Sequence, residues 1–438
     1  MKYYYNILKK LIINITILNV LFFINAPAQS KENKNTLYAA VAKVNITPEE
    51  PVKMSGYGGR ADQLSTGIRD SLYARAVVLK SNEKKLVLIS TDVISPPTFF
   101  RKAILKESGL KSSELFLSAI HTHSGPTLVV DEEKGHPNNV KYTKSLKPKL
   151  ITVIRKAFGN MESVQIGAGV GYSPIGINRR ALHIDGSGHP TWSKSLVKLG
   201  RNPTGITDKE VLVMRIANSQ GAAIGILFDY ATHGTCLKDV NLRLSGDVLG
   251  VAEQFVERII GNDVIAPVFA GASGDINPYL RGLTHFGTES GWIPEHVLQG
   301  TMLGEEVVRV YLDIKESLPA DVIKTDFVTI ELPGKEEKTL INEGTSNLTT
   351  PLNITAACIG EIGFIGFGCE VANEIGKTIK AASPFKYTFV ITHCNGSSGY
   401  LSPEHLYREG GYEVENSHFA PGAAEIAIKK ALGMLYSL

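Results

Sequence analysis

The chain has 438 residues, with 46 Lys and Arg against 43 Asp and Glu, 43% hydrophobic and 20% charged residues. Such a composition supports a large globular core and excludes fibrous, collagen-like, polytopic and disordered classes. Lys2, Lys9 and Lys10 lie in the first 28 residues, which hold no acidic side chain, so the remaining 410 balance at 43 to 43. A neutral, mixed surface argues against nucleic acid as a partner and allows transient contact at most with a membrane surface.

The N-terminus has a basic start, an apolar run from Leu11 to Ile24, and Ala26-Pro27-Ala28 with small residues at −3 and −1. This pattern predicts a cleaved secretory signal peptide over residues 1–28. The run is short of the roughly 20 residues that a membrane span needs. Residues 29–438 are then expected as one exported domain, secreted or periplasmic. Cys236, Cys358, Cys369 and Cys394 show no CxxC spacing, and are expected mainly as core thiols.

In chain order, strands and helices alternate from end to end. Leu37–Ile46 reads as a strand, and Ala74–Lys80 with Lys85–Thr91 as a hairpin. Thr98–Lys106 reads as a helix and Glu114–Ile120 as a strand running into His121. A helix is expected over Pro148–Phe158, with proline in its first turn. Strands follow at Ser163–Gly169, Glu210–Ala217 and Ala222–Tyr230, the last ending just before His233. Helix Gly246–Ile260 leads to strand Val264–Ala270. Helix Glu295–Ile314 then leads to strands Val322–Leu332, Thr355–Ile359 and Gly363–Phe367. Helix Val371–Ala381, strand Lys386–Ile391 and helix Ala423–Tyr436 close the chain. Long loops are expected around 126–142, 178–202 and 281–294. The fold class is α/β, with layered sheets flanked by helices.

Short apolar strands repeatedly end in Gly-rich loops carrying His, Asp or Glu, the way α/β proteins build sites. His121-Thr122-His123-Ser124-Gly125-Pro126 is the most pointed case. Residues i and i+2 of an extended chain face the same way, so both imidazoles can address one site. Imidazole is both the commonest zinc-binding side chain and the usual near-neutral acid or base. His233 follows a second strand, with Ser245-Gly246-Asp247 after it; Asp247 also suits a helix N-terminus. Gly366-Phe367-Gly368-Cys369-Glu370 delivers a carboxylate from a third strand. Tyr400 and Tyr412 lie in glycine-rich segments near the end. Asn178-Arg179-Arg180 and Gly274-Asp275-Ile276-Asn277-Pro278 are further polar clusters. The run Gly167-Ala168-Gly169-Val170-Gly171 fails the dinucleotide spacing, and no GxSxG, Walker A or HExxH motif occurs. The residues alone point to a zinc hydrolase of His/His/carboxylate type, with a position left for water.

Together these segments resemble the catalytic domain of the neutral/alkaline, non-lysosomal ceramidase family. The resemblance runs through residues 42–48, Gly56-Tyr57-Gly58-Gly59-Arg60, Gly67-Ile68-Arg69-Asp70 to Arg75-Ala76, and His121–Pro126. It continues through Asn178-Arg179, His233, Ser245–Asp247, Gly274–Pro278, Glu370, and Tyr400 to Tyr412. It implies one zinc ion held by His121, His233, Glu370 and Tyr400, with His123 as general acid/base. Arg179 and Tyr412 would steady the oxyanion or orient the amide. Asn277 departs from the family, which carries serine there in Gly-Asp-x-Ser-Pro; Ser273 lies nearby but does not match. The family's C-terminal β-sandwich domain is also expected to be missing from a chain ending at Leu438.

The implied activity is an exported zinc-dependent amidohydrolase cleaving the N-acyl bond of ceramide or a related N-acyl lipid. Its partner would be a small-molecule or lipid substrate, with no obligate protein. The alternatives are a zinc amidase or esterase acting on a non-lipid substrate such as an N-acylated sugar, and a non-catalytic binding protein on the same scaffold.

Overall fold

Leu37–Asn45 forms the first strand (β1), with Tyr38 and Lys43 turned outward among buried alanines. It pairs antiparallel along its whole length with Tyr73–Ser81 (β2), from Leu37 opposite Ser81 to Asn45 opposite Tyr73. The chain returns through Asn82, at a left-handed φ of 52°, into Lys84–Thr91 (β3). Asparagine tolerates that conformation better than most side chains, so the expected hairpin closes here. β3 runs parallel to Leu115–Ala119 (β4) after a crossover containing helix Arg101–Ser108 (α1). Residues 36–183, 195–261, 263–281, 293–320, 322–335 and 348–438 are described by this computed structural model. The signal peptide expected over residues 1–28 lies outside them.

Helix Pro137–Gly159 (α2) precedes strands Glu162–Tyr172 (β5), Gly176–Leu182 (β6), Val197–Asn202 (β7), Glu210–Asn218 (β8) and Ala223–Tyr230 (β9). Helix Asp247–Ile260 (α3), strands Val268–Ala270 (β10) and Ile276–Pro278 (β11), and helix Glu295–Asp313 (α4) follow. Then come Ile323–Pro333 (β12), Thr349–Ile359 (β13), Ile362–Phe367 (β14) and Glu370–Val371 (β15). Helix Asn373–Ala382 (α5), strands Tyr387–Ile391 (β16) and Tyr400–Leu401 (β17), and helices Glu404–Glu409 (α6), Tyr412–Glu415 (α7) and Ala423–Ser437 (α8) complete the described chain. No described helix is long and apolar enough to cross a membrane.

Three local expectations fail for physical reasons. The second helix begins at Pro137, where the His136 ring accepts the Asn138 N–H at 3.3 Å, and Pro148 lies inside it. Burial of Val140, Tyr142 and Leu146 carries the helix through the bond that Pro148 cannot donate. The stretch expected as a loop around 178–202 is strand at both ends, where β6 and β7 pair antiparallel, and residues 184–194 lie outside the described residues. Arg179 and Arg180 are buried there by ion pairing, which hides the strand from any apolar alternation. The strand expected over Val264–Ala270 is only Val268–Ala270, because Pro267 has no N–H to give a ladder.

The eight-stranded sheet has the order β10-β9-β8-β5-β1-β2-β3-β4, and a four-stranded sheet has β12-β13-β14-β16. Their inner faces meet in one core of Leu88, Phe116, Met214 and Phe269 with Phe364, Phe389 and Ile391. The Phe364 and Phe389 rings stack at 5.0 Å and 16°. Burying each such side chain contributes about 1.5–3 kcal/mol. The large sheet's outer face is covered by α2 on one half and by α3 and α4 on the other. α5 and α8 cover the outer face of the smaller sheet. The architecture is therefore four layers, helices–sheet–sheet–helices, which is the α/β class expected. Fully buried Arg75 on β2 ties the large sheet to α3, donating to Glu253 at 2.6 Å, Glu257 at 2.9 Å and Asp92 at 3.3 Å. Breaking a buried pair of this kind costs about 3–5 kcal/mol. All four cysteines are buried and unpaired, as core thiols should be.

Candidate active site

The site forms where carboxyl ends of strands from both sheets meet. β4 ends two residues before His121, β9 three before His233, β14 three before Glu370 and β16 two before His393. The two sheets are joined at this end by a bridge between Ser118 and Cys394 and by Ala119 N–H donating to the His393 carbonyl at 3.2 Å. The loops carrying His121 and His233 lie side by side through a parallel bridge between Thr122 and Gly234. A side chain at Gly234 would put Cβ 2.7 Å from Thr122 Cα, so only glycine permits this approach.

Each of three imidazoles has one ring nitrogen committed to a backbone carbonyl. His121 Nδ1 lies 2.6 Å from the Ile94 oxygen, His233 Nδ1 2.6 Å from the Ser273 oxygen, and His123 Nδ1 3.2 Å from the Gly56 oxygen. A carbonyl only accepts, so each Nδ1 carries a proton, and in the neutral ring Nε2 then keeps its lone pair. Those lone pairs converge. His121 Nε2 is 3.3 Å from His123 Nε2, while Glu370 Oε2 is 3.4 Å from His121 Nε2 and 3.3 Å from His233 Nε2. Glu370 Oε2 is buried with no hydrogen-bond donor. Burial, and then the Arg179 guanidinium, lowers His233 to about 4, so it is neutral near pH 7. Burial likewise holds His123 well below the usual imidazole value. Buried electron pairs facing one another at such distances repel unless a cation lies among them. The donors are nitrogen and carboxylate oxygen, which fit a divalent transition ion.

Tyr400 joins this group through a two-residue parallel pairing in which Glu370 lies opposite Tyr400. Its phenol, raised above its ordinary value by burial, accepts from Arg179 Nη2 at 3.2 Å. Arg179 Nη1 also reaches His233 Nε2 at 3.2 Å. Tyr412 stands at the rim, 41% exposed, with its ring 5.8 Å from that of Tyr400 and 5.6 Å from the Arg179 guanidinium carbon. All seven residues singled out from the sequence are thus brought together. Asp247, the alternative helix-start residue, accepts N–H groups from Cys236, Leu237 and Val248 and serves the local backbone. Asn277 accepts from Thr235 Oγ1 at 3.2 Å.

Two residues of this neighbourhood were not anticipated. Glu413, 1% exposed, clamps both arginines, accepting from Arg179 Nε at 2.7 Å and Arg180 Nη1 at 2.8 Å. Two adjacent arginines in a segment destined for burial required such a carboxylate, but nothing local selects Glu413. His393 stacks on His121 at 3.8 Å and 12°, and its buried Nε2 has no partner among the described residues. It leaves β16 as His121 leaves β4, so the strand-exit pattern could have found it.

Over residues 39–290 the chain matches the family model for neutral/alkaline non-lysosomal ceramidase, N-terminal. It is 26% identical over 238 residues to neutral ceramidase 2 of Arabidopsis thaliana, covering 51% of this chain and 30% of that protein. It is 26% identical over 258 residues to neutral ceramidase of Mycobacterium tuberculosis, covering 52% of this chain and 38% of that one. The alignments therefore span well under half the length of these relatives. The fold matches a crystal structure of neutral ceramidase from Pseudomonas aeruginosa with a TM-score of 0.73 at 16% identity, over 92% of this chain and 75% of that one. A structure described as ceramidase complexed with C2 gives 0.74 at 15% identity, with the same coverage. With more than half its residues inside the family model, the chain belongs to the neutral/alkaline non-lysosomal ceramidase family.

Proposed function

We propose that this chain is an exported, zinc-dependent amidohydrolase that cleaves the N-acyl bond of ceramide or a related N-acyl lipid. The observation that carries the reading is the convergence of imidazole Nε2 atoms on the undonated Glu370 Oε2, each ring fixed by a backbone carbonyl. His121, His233 and Glu370, with Tyr400 beside them, would hold the ion. Bound zinc would polarise the acyl carbonyl and make a water more acidic. His123, with its Nε2 lone pair turned toward the centre, takes a proton from the attacking water and returns it to the departing amine nitrogen. Arg179, locked by Glu413, keeps a positive charge against the Tyr400 phenol, where the acyl oxygen becomes negative. Tyr412 at the rim orients the amide. Asn277 has no hydroxyl to offer, so this route uses water as the nucleophile.

The substrate class is tested by product analysis on the purified chain. Short-chain ceramide in detergent should release fatty acid and the long-chain amine in equal amounts, and N-acetylated sugars without detergent should release no acetate. Acetate release with intact ceramide would replace the lipid reading with the sugar amidase.

A further inference from the structure

We infer that the loop from Gly56 to Arg60 is a cradle for His123, with Arg60 and Gly56 as positioning residues that set its ring orientation and tautomer. This rests on the reading of His123 as the proton-transferring group. The sequence singled out Gly56-Tyr57-Gly58-Gly59-Arg60, of which only the Gly56 carbonyl has a part in the site so far.

Arg60 is only 3% exposed, and none of its hydrogen bonds goes to a carboxylate. Its Nη1 donates to the carbonyls of Ser55 at 2.8 Å and His123 at 2.6 Å, Nη2 to Lys238 at 2.9 Å, and Nε to Asp239 at 3.2 Å. Buried cations are ordinarily paired with an acid. This one spends its planar fork on the backbone of three separate segments, one of them His123 itself. A lysine, with its donors on one nitrogen, cannot span the same set.

The rest of the loop meets the imidazole directly. The Gly56 carbonyl takes Nδ1–H, and the Tyr57 ring lies 5.1 Å from the His123 ring at 57°. The Arg60 guanidinium carbon is in turn 4.9 Å from the Tyr57 ring centre. Gly56 has φ +95°, and a Cβ there would fall 2.3 Å from His123 Nδ1. On the far side, His123 N–H donates to the Gly234 carbonyl at 2.8 Å. His123 is therefore fixed at its backbone nitrogen, its backbone oxygen and one ring nitrogen, with the Tyr57 ring beside its own. Holding the proton on Nδ1 is what leaves the Nε2 lone pair toward the centre.

The test compares Arg60→Ala, Arg60→Lys and Gly56→Ala with the parent chain, each zinc-loaded and labelled with ¹⁵N-histidine. The His123 imidazole signals, assigned by their loss in His123→Ala, report which nitrogen carries the proton. Arg60→Ala and Gly56→Ala should move these signals from a single Nδ1–H form to a mixture. They should lower kcat about 100-fold, the scale of an ångström misplacement, with KM and zinc content within about twofold of the parent. Arg60→Lys should recover part of the loss. Unmoved His123 signals in both Arg60→Ala and Gly56→Ala, with activity falling only as folded protein falls, would overturn the inference. A fully active His123→Ala would remove the proton-transfer reading instead, while the tautomer shift would still stand.

Discussion

Glu370→Ala should lose bound metal and hydrolysis together, with metal affinity falling by more than about 100-fold. That figure is the upper cost of removing an outer partner of a ligand, and Glu370 is placed to be a ligand itself. Among the described residues it is the carboxylate that faces both His121 Nε2 and His233 Nε2. Its buried Oε2 has no hydrogen-bond partner, so truncation breaks no hydrogen bond at that oxygen. The variant should consequently fold, and its thermal transition without metal should match that of the metal-free parent. Equilibrium dialysis against zinc checks the affinity. Retention of stoichiometric, tightly held metal would remove Glu370 from the centre.

His123→Ala should behave in the opposite manner, keeping the metal while losing turnover by about 10²–10⁴-fold, the usual contribution of a positioned acid or base. The competing geometry is explicit, because His123 Nε2 is near enough to His121 and His233 to be a third imidazole ligand. Metal content measured on the variant decides between them. A metal-free His123→Ala protein would make His123 a ligand, and an active one would leave proton transfer to another group.

Much of this site was legible in the sequence, for a local reason. A strand that ends in an apolar run and opens into His-x-His, His or Glu delivers a polar group at a sheet's carboxyl edge whatever the remaining topology. That rule reaches His121, His123, His233 and Glu370 directly. What joins them is not local. The bridge from Ser118 to Cys394 and the pairing of Glu370 with Tyr400 depend on two sheets packed face to face, and no spacing encodes that contact. Glu413 and the part played by Arg60 were hidden for a related reason. A charged residue in a loop reads as solvated until its partners are known, and those partners lie 234 residues away for Glu413 and up to 179 for Arg60. The β6 strand stayed invisible because its buried run, Gly176-Ile177-Asn178-Arg179-Arg180, holds a single aliphatic side chain and shows no apolar alternation. The start of α2 was misread because Pro148 imitates a first-turn proline while Pro137 is the real one.

Zinc-dependent amide hydrolysis is tested by measuring metal content and fluorescent short-chain ceramide hydrolysis on one sample of the purified chain, before and after chelation. One zinc ion per chain is expected, with hydrolysis lost as that ion is stripped and recovered when one equivalent of zinc is returned. Hydrolysis that persists in metal-free protein, or a chain that holds no zinc at all, would contradict it.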